Sequence, residues 1–486
     1  MRSIEQAWLK RIVRGCTFDD FLIGPGWGVA NSRKDISLVS KFSQNISLNI
    51  PLVSANMDTI TGARTAIAMA KKGGIGVIHR YLSNEDQRQK VEEAKREENF
   101  IIEKPYSATA DITVGEARNI MEKNKVGGLV IINQDGKLVG ILTDRDVRYC
   151  SGNETVEQRM TKGHKLITAR YSEVSLADVK KLIDENRLEK LPLVDEEFKL
   201  KGLITSRDIQ NLEEFPLANK DKNGQLVVGA AIGATGDYLE RAAELIKAGA
   251  DVLVLDIANA QSNVGRNAVI GFRKKFPDTE LVVGNIVLPE AVPVFEELGV
   301  NGFKVGLGPG SACTTRLNTN IGVPQGQAVC SCAMIARVPV CADGGIKRDG
   351  SIAEALILGG DSVMIGGMFA GTDETPGLVF PDSTGKPVKV FRGMASREAM
   401  YERLRIEEAD DPYEISSRMS PEGMEKKVEY KGSVGPIIDA MMGHLASTVS
   451  YMGAMSLQEA KEMFMEYPSK YLIKLSESAK IESWVR

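Results

Sequence analysis

The sequence predicts an α/β protein, namely a closed parallel (β/α)8 barrel of the TIM type with a smaller domain inserted into it. Three observations support this prediction. Eight short apolar runs recur along the 486 residues, helix-like segments separate most of them, and a long gap after the second run contains an internal repeat. Continuous apolar runs are typical of strands buried on both faces of a parallel sheet, and eight β/α units suit a closed barrel.

The eight runs are rich in Val, Ile, Leu and Ala, and most of them end in Gly, Asn or Asp. They occupy residues 51–56, 74–79, 226–232, 251–256, 280–285, 302–306, 338–343 and 361–366. The segment at 237–248 shows the apolar spacing of an amphipathic helix. An open, doubly wound sheet is the alternative, but the first run is not followed by the Gly-x-Gly-x-x-Gly pattern of such folds.

The chain between the second and third runs is too long for a simple loop and contains a repeated motif. Residues 140–146 (Gly-Ile-Leu-Thr-Asp-Arg-Asp) return as 202–208 (Gly-Leu-Ile-Thr-Ser-Arg-Asp), with Thr143 and Thr205 placed to cap a helix. The repeat resembles a tandem pair of CBS modules over residues 96–215, so we expect the barrel to consist of residues 1–95 and 216–486. This resemblance implies an adenine or guanine nucleotide as a regulatory ligand, with a purely structural insertion as the alternative.

Composition and charge argue against several classes of partner. The net charge of −4 provides no basic field for nucleic acid, and no apolar run reaches the length that spans a membrane. Charges near the N-terminus interrupt any signal-peptide pattern, so we expect a cytoplasmic protein. We expect the six cysteines to be free thiols, and the three widely spaced histidines argue against a zinc site.

The carboxyl ends of the predicted strands carry polar residues, and active sites of such barrels lie at these ends. Asp256, Asn285 and Asp343 end the fourth, fifth and seventh runs. Barrels usually bind phosphate through backbone N–H groups after their last two strands. A glycine pair stands at each of those positions, Gly344-Gly345 and Gly366-Gly367.

The most informative segment is the loop after the sixth run, residues 306–316 (Gly-Leu-Gly-Pro-Gly-Ser-Ala-Cys-Thr-Thr-Arg). Glycines and a proline shape this loop, and Cys313 is presented on it as a candidate nucleophile. This string, together with the order of the strand-end motifs over nearly the whole chain, resembles the IMP dehydrogenase/GMP reductase family. The resemblance implies an oxidoreductase of purine metabolism in which Cys313 attacks C2 of the purine.

The resemblance also implies roles for individual residues. Thr315 and Glu374 would form a proton-carrying pair with Cys313, because a carboxylate shielded from water can shuttle protons near neutral pH. The substrate nucleotide would contact Ser311, Asp343, Gly344, Gly345, Gly366, Gly367, Gly393, Met394, Ala395, Arg418 and Glu422. The nicotinamide cofactor would contact Ser32, Arg33, Arg80, Asp256, Ala258, Asn259, Asn285, Gly306, Gly308, Ser447 and Tyr451. Backbone carbonyls of Gly308, Gly310 and Cys313 would bind a monovalent cation, normally potassium.

Within the family, several positions resemble the reductase branch. Residues 396–432 lack the Arg-Tyr dipeptide with which the dehydrogenases activate water, and Gly367 stands where they usually have Ser. Arg33 and Arg80 would suit the 2′-phosphate of NADPH. We therefore expect a GMP reductase that converts GMP and NADPH to IMP and ammonia through a cysteine thioimidate.

Two other functions remain as alternatives. An IMP dehydrogenase would convert IMP and NAD to XMP, and CBS pairs are commoner in that branch. A CBS-based nucleotide sensor on an inactive barrel would be favoured by loss of the nucleophile, but Cys313, Thr315 and Glu374 are all present. The family resemblance further implies a homotetramer or a larger assembly.

Overall fold

The computed structural model describes residues 2–97, 102, 105–124, 126–173, 176–407 and 409–484. The chain divides into two compact units. The larger comprises Met1–Glu97, Leu217–Asp221 and Leu226–Arg486, and the smaller comprises Glu98–Pro216 and Lys222–Gln225. Among the described residues, no helix is both long enough and apolar enough to cross a membrane.

Eight parallel strands of the larger unit close into a barrel, which confirms the predicted fold. Each strand pairs with its neighbours in chain order, and the eighth pairs with the first. The ends of every strand agree with those of a predicted run to within two residues. They are β1 Leu52–Ser54, β2 Ile75–Ile78, β3 Val228–Ile232, β4 Val252–Asp256, β5 Leu281–Ile286, β6 Gly302–Val305, β7 Val340–Asp343 and β8 Ser362–Ile365.

A helix follows each strand, as in a (β/α)8 barrel. Several begin behind a serine whose hydroxyl accepts a backbone N–H of the first turn, as Ser83, Ser262 and Ser433 do. The helices are α1 Ala63–Lys71, α2 Asn84–Arg96, α3 Tyr238–Lys247, α4 Asn263–Lys275, α5 Ala291–Glu297, α6 Gln325–Ala333, α7 Asp349–Ile357 and α8 Val434–Met452.

The barrel strands are buried on both faces, and alternate residues serve two different cores. In β4, Leu253 and Leu255 pack outwards against the helices, whereas Val252 and Val254 pack inside the barrel. This period of two continues to the carboxyl ends of the strands. There the inward positions hold Asp256, Lys304 and Asp343 instead of apolar side chains.

The segment between β8 and α8 covers the carboxyl end of the barrel. Its strands β9 (Pro387–Arg392) and β10 (Glu425–Glu429) form an antiparallel pair that we call the flap hairpin, and Phe380–Pro381 adds a short third strand. Between β9 and β10 lie two helices, Arg397–Ile406 and Pro412–Arg418.

Short elements near the termini complete the larger unit. Strand Phe21–Ile23 pairs with Leu472–Lys474, and Ser40–Lys41 pairs with Ser47–Leu48. The remaining helices of this unit are Arg2–Ile12, Thr315–Thr319, Leu457–Glu466, Pro468–Tyr471 and Glu477–Trp484.

The smaller unit contains the structural counterpart of the sequence repeat. Each of its two sheets has a short parallel edge strand followed by an antiparallel pair. The strands are Ser107–Ala108, Gly128–Ile132 and Leu138–Thr143 in one sheet, and Ala169–Arg170, Lys190–Val194 and Leu200–Thr205 in the other. The helices are Val114–Asn124, Asp144–Val147, Val156–Arg159, Leu176–Asn186 and Ser206–Glu214.

Candidate active site

A cavity of about 370 Å³ opens at the carboxyl end of the barrel, under the flap hairpin. Loops after most of the barrel strands contribute to its wall, as does the chain on either side of the flap helices. The predicted site residues that line it are Arg80, Asp256, Ala258, Asn285, Gly306, Gly308, Gly310, Ser311, Cys313, Thr315, Asp343, Gly344, Gly345, Gly366, Gly367, Gly393, Met394, Ala395 and Glu422.

The loop that carries Cys313 is held in place by a short antiparallel contact with the chain just before β10. Cys313 lies opposite Gly423 in this contact. The backbone N–H of Thr314 donates to the carbonyl of Glu422 at 2.8 Å, and that of Met424 donates to the carbonyl of Ala312 at 3.0 Å. This pairing fixes the register between the two segments and brings the side chain of Glu422 to the cysteine loop.

Three side chains form a hydrogen-bonded relay at this point. The Cys313 thiol donates to Thr315 Oγ1 at 3.2 Å, and the Thr315 hydroxyl donates to Glu422 Oε2 at 2.7 Å. A thiol becomes a nucleophile when an adjacent base removes its proton. The relay therefore gives Cys313 a route for its proton to a carboxylate.

Three other cysteines are poor candidates for this chemistry. Burial raises the pKa of the Cys330, Cys332 and Cys341 thiols to about 12. Thiols with so high a pKa, enclosed in the core, stay protonated and unreactive. Cys313 differs from them because it is partly exposed and lies on the cavity wall.

A buried lysine joins two of the predicted ligand-binding carboxylates. Lys304 Nζ lies 2.9 Å from Asp256 Oδ1 and 2.7 Å from Asp343 Oδ2. Burial opposes the charge on Lys304, but the two carboxylates outweigh it and raise its pKa. Burial likewise opposes ionisation of Asp256, and Lys304 and Arg80 overcome it, so the pKa of Asp256 is lowered. Lys304 and Asp256 are therefore both charged at neutral pH.

Two buried polar atoms on the cavity wall have no partner among the described residues, namely Arg80 Nε and Asn285 Oδ1. The amide nitrogen of Asn285 is used, because it donates to Asp343 Oδ2 at 2.9 Å. Unpartnered polar atoms are costly to bury, so their presence at a cavity indicates a polar ligand. These residues fit the predicted binding of a nicotinamide nucleotide.

The glycine pair after β8 packs closely against the cysteine loop. A Cβ atom on Gly367 would lie 2.6 Å from Ser311 Oγ, so a larger residue there would displace the serine. The side chain of Lys431 donates to the neighbouring carbonyl of Met368 at 2.9 Å. This corner, formed by Ser311, Gly366 and Gly367, has the backbone exposure and the hydroxyl that a phosphate group requires.

The predicted pairing of Glu374 with Thr315 is wrong. Glu374 lies away from the cavity wall, where its carboxylate accepts the Ser433 hydroxyl at 2.9 Å and the Val434 N–H at 2.9 Å. It thus caps the N-terminus of α8, where a negative charge is favoured by the helix dipole. Thr315 is paired with Glu422 instead, because the contact before β10 brings that residue to the loop.

Arg418, predicted to contact the nucleotide, is also placed elsewhere. It ends an exposed flap helix and forms an ion pair with Glu414 one turn earlier, outside the cavity wall. Helical spacing explains the difference, because residues four apart on a helix surface are neighbours.

Five predicted cofactor residues do not line the cavity of their own chain. Arg33 Nη2 donates to the hydroxyl of Tyr451 at 3.0 Å, and its guanidinium lies 5.6 Å from the ring centroid. The Ser447 hydroxyl donates to the carbonyl of Gly443 on α8. Ser32 caps a short helical turn beside Arg33, and Asn259 is exposed after β4.

Lys304 is the main site residue that the sequence prediction missed. The sequence does contain a pattern that indicates this residue, because Lys304 stands at an inward position of a strand whose other residues are Gly, Phe and Val. A charged residue in a doubly buried strand requires an opposite charge nearby. Asp256 and Asp343, at the ends of other barrel strands, were the natural partners.

Comparisons with known proteins agree with this geometry. The model of the IMP dehydrogenase/GMP reductase domain matches residues 15–486. An inosine-5′-monophosphate dehydrogenase from Nitrosopumilus maritimus is 42% identical over 92% of this chain and 94% of its own length. One from Halalkalibacterium halodurans is 41% identical over 92% of each chain.

Solved structures of GMP reductase from Trypanosoma brucei are also similar. One, in complex with guanosine 5′-monophosphate, has a TM-score of 0.87 and 37% identity, covering 96% of this chain and 97% of that chain. Another, in complex with guanosine 5′-triphosphate, has a TM-score of 0.76 and 34% identity, covering 95% and 98%. The chain therefore belongs to the IMP dehydrogenase/GMP reductase family, whose members are oxidoreductases of purine nucleotides that use a nicotinamide cofactor.

Proposed function

We propose that this protein is a GMP reductase, which converts GMP and NADPH to IMP and ammonia through a covalent intermediate on Cys313. The observation that carries the proposal is the composition of residues 396–432, which contain no Arg-Tyr dipeptide. Without that dipeptide the covalent intermediate has no water-activating group of the dehydrogenase kind. An intermediate that water does not intercept can be reduced.

In the first step the chain's own relay carries the proton. Cys313 gives its proton through the Thr315 hydroxyl to Glu422, and the thiolate forms a bond to C2 of the purine. The 2-amino group then leaves with its bonding pair and takes a proton from Glu422 through Thr315, so it departs as ammonia. The result is a thioimidate on Cys313, and Glu422 is again ionised. General acid–base catalysis of this kind contributes roughly 10²–10⁴-fold to rate.

The second step restores the free thiolate. A nicotinamide cofactor held by wall residues such as Arg80, Asp256 and Asn285 would supply the hydride that C2 requires. The C2–S bond then breaks, and the thiolate of Cys313 takes up a proton from solvent through Glu422 and Thr315. Exclusion of water by the flap hairpin protects the intermediate during this interval.

The other wall residues hold the two ligands. Asp343 uses Oδ2 for Lys304 and Asn285, which leaves Oδ1 for the ribose hydroxyls of GMP. Ser311, Gly366 and Gly367 hold the phosphate. The cofactor-binding residues we propose on this wall are Arg80, Asp256, Ala258, Asn285, Gly306 and Gly308, with Arg80 favouring the 2′-phosphate of NADPH.

We also propose a monovalent cation at the cysteine loop. The carbonyls of Gly308, Gly310 and Cys313 are the oxygen donors that potassium prefers. Arg316 supports the loop, since its Nε donates to the carbonyl of Leu307 at 3.0 Å. Activity in potassium buffer should exceed activity in lithium buffer of the same ionic strength, and equal rates would contradict a cation site.

We propose that the smaller unit is a tandem CBS module that binds a purine nucleotide. Thr143 lies at the start of its helix, where its N–H and hydroxyl both donate to Asp146. One related GMP reductase has been solved with guanosine 5′-triphosphate, which favours a guanine nucleotide here. Calorimetric titration of GTP and ATP into the Cys313→Ser protein tests this, and no binding of either would contradict it.

An IMP dehydrogenase is the second candidate, and one observation favours it: curated relatives at 40–42% identity have that activity in their names. Absorbance at 340 nm separates the two reactions. GMP with NADPH should give loss of absorbance and yield IMP and ammonia, whereas IMP with NAD should give little or no XMP. Robust XMP formation without GMP reduction would overturn the proposal in favour of the dehydrogenase.

A further inference from the structure

The two strands of the flap hairpin place adjacent lysines on opposite faces. In the antiparallel register of β9 and β10, Phe391 lies opposite Lys426 and Val390 lies opposite Lys427. Residues directly opposite one another share a face of the sheet, and successive residues alternate. Because Phe391 lines the cavity, Lys426 is on the cavity side and Lys427 is on the other side.

The contacts of the two lysines agree with this alternation. Lys426 Nζ donates to the carbonyl of Ser311 at 3.2 Å and lies 5.4 Å from the ring centroid of Phe391. Lys427 Nζ lies 5.5 Å from the ring centroid of Phe380. A Cβ atom on Gly367 would lie 4.0 Å from the Phe391 ring and 2.6 Å from Ser311 Oγ. Lys426 therefore reaches the corner that Ser311 and Gly367 form.

The charge at this corner is otherwise unbalanced. A nucleotide phosphate carries a charge of about −1.5 to −2 at neutral pH, and backbone N–H groups carry no net charge to offset it. Among the other cations near the cavity, Lys304 is ion-paired with two aspartates and Lys347 with Asp19 at 3.1 Å. Arg80 is one of the proposed cofactor residues, and Lys431 donates to the Met368 carbonyl and not to the cysteine loop. Within the described part of the chain, Lys426 forms no ion pair with a carboxylate.

We propose that Lys426 is the cation of the phosphate subsite, exchanging its contact with the Ser311 carbonyl for the 5′-phosphate of the purine nucleotide. The proposal rests on the proposed function only in taking a nucleoside monophosphate as the substrate. It assigns to the flap hairpin a direct part in substrate recognition. Glu422 lies four residues before Lys426 on the same segment. A phosphate bound to Lys426 would therefore also restrict the movement of the segment that carries Glu422.

The test compares Lys426→Met with Lys427→Met. The second variant is the control, because it removes the same charge from the opposite face of the same strand. Calorimetry measures the Kd of GMP, IMP and guanosine without turnover. Lys426→Met should raise the Kd of both nucleotides about tenfold or more, because a charge-assisted hydrogen bond is lost. Lys427→Met should change neither by more than about twofold, and Lys426→Arg should restore most of the affinity.

Two further readouts separate charge from structure. The affinity for guanosine, which has no phosphate, should be the same in Lys426→Met and the unaltered protein. If guanosine binds too weakly to titrate, the salt dependence of GMP binding decides, since it should be shallower in Lys426→Met. Unchanged GMP affinity, or equal weakening by Lys426→Met and Lys427→Met, would overturn the proposal. Failure of the unaltered protein to reduce GMP would refute the reductase and leave this result standing.

Discussion

At the residue scale, the hydrogen bonds of Cys313 provide a route for its proton, which runs through Thr315 to Glu422. Thr315 is two residues from the cysteine, whereas Glu422 is 107 residues further along the chain. The distances of 3.2 and 2.7 Å make a continuous relay. A second acid, Glu374, lies nearer to α8 and has a structural role.

Exchanging each acid for its amide distinguishes these two roles. Glu422→Gln keeps the shape of the side chain but removes the proton acceptor, so turnover should fall by roughly 10²–10⁴-fold with little change in stability. Glu374→Gln should retain turnover and lose about 1 kcal/mol of stability, because it weakens the cap of α8. Steady-state kinetics and urea denaturation measure both effects, and a larger loss of turnover in Glu374→Gln would contradict the assignment.

The buried ion pairs of Lys304 make a prediction about pH. The raised pKa of Lys304 means that its contribution to stability is present below the pKa of a free lysine and is lost only as pH rises through the raised value. The lowered pKa of Asp256 means that its contribution is present above the ordinary carboxylate pKa and is lost as pH falls through the lowered value. Between these limits the network should be insensitive to pH.

In Lys304→Met, the free energy of unfolding should depend on pH in this range. The substitution leaves Asp256 and Asp343 without their cation, so the loss in the free energy of unfolding should be about 3–5 kcal/mol at pH 8 and smaller at pH 5.5, where the carboxylates can protonate. Lys72→Met breaks a surface pair with Asp439 and should cost less than about 1 kcal/mol at either pH. Equal losses at both pH values in Lys304→Met would refute the buried network.

Single residues were predictable where their neighbours in the sequence revealed them. Cys313, Ser311 and the glycine pairs belong to local motifs, and all of them line the cavity. Glu422 was assigned to the substrate and Glu374 to Thr315, because the sequence does not reveal which of two distant acids reaches the loop. That choice is made by the backbone contact between Cys313 and Gly423.

At the element scale, the flap hairpin carries Lys426, which we propose binds the substrate phosphate, and its strand β10 follows directly on the segment that holds Glu422. The chain before β10 is enclosed on both sides, because the N–H of Glu422 donates to the Ala395 carbonyl while the Thr314 N–H donates to the Glu422 carbonyl. The barrel strands were predictable from their apolar runs. The hairpin was not, since Glu425–Glu429 is almost wholly charged and its pairing with β9 depends on the cavity beneath it.

Gly423→Ala tests the enclosed segment. A Cβ atom there would lie 2.8 Å from the Ser396 nitrogen and 3.0 Å from the Ala395 carbonyl carbon, so the segment must shift and carry Glu422 with it. We expect kcat/KM to fall by about tenfold or more while the barrel stays folded. Gly443→Ala on α8 is the control, because nothing lies within 4 Å of its added Cβ, and this variant should keep full activity. Unchanged kcat/KM in Gly423→Ala would show that the segment does not position the acid.

At the scale of the whole molecule, the barrel and the smaller unit each have their own core. Apolar clusters of the larger unit comprise barrel and helix residues, and separate clusters comprise residues of the insertion. The sequence predicted both because an internal repeat and an eightfold strand pattern are global signals. The family resemblance implied a homotetramer, and the two predicted cofactor residues Arg33 and Tyr451 form a pair that lies off the cavity wall.

We propose that Arg33 and Tyr451 serve the cavity of a neighbouring copy in a homotetramer, and a complementation experiment tests this. Cys313→Ser should be inactive because it lacks the nucleophile. The double variant Arg33→Ala/Tyr451→Ala should have reduced activity because it lacks the proposed cofactor contacts. After the two are unfolded and refolded together, mixed assemblies should regain activity. Control samples, in which the two variants are refolded separately and then mixed, should not regain activity. Equal activity in the two preparations would contradict a site formed by residues of two neighbouring copies.

The central claim is that Cys313 displaces the 2-amino group of GMP, and mass spectrometry of a quenched reaction tests it most directly. The protein is mixed with GMP, quenched in acid and digested, and the peptide that contains Cys313 is measured alongside released ammonia. We expect a Cys313 adduct with the mass of GMP less one ammonia, which should be absent from Cys313→Ser and strongly reduced in Glu422→Gln. Ammonia release with no adduct, or an adduct on another cysteine, would contradict it.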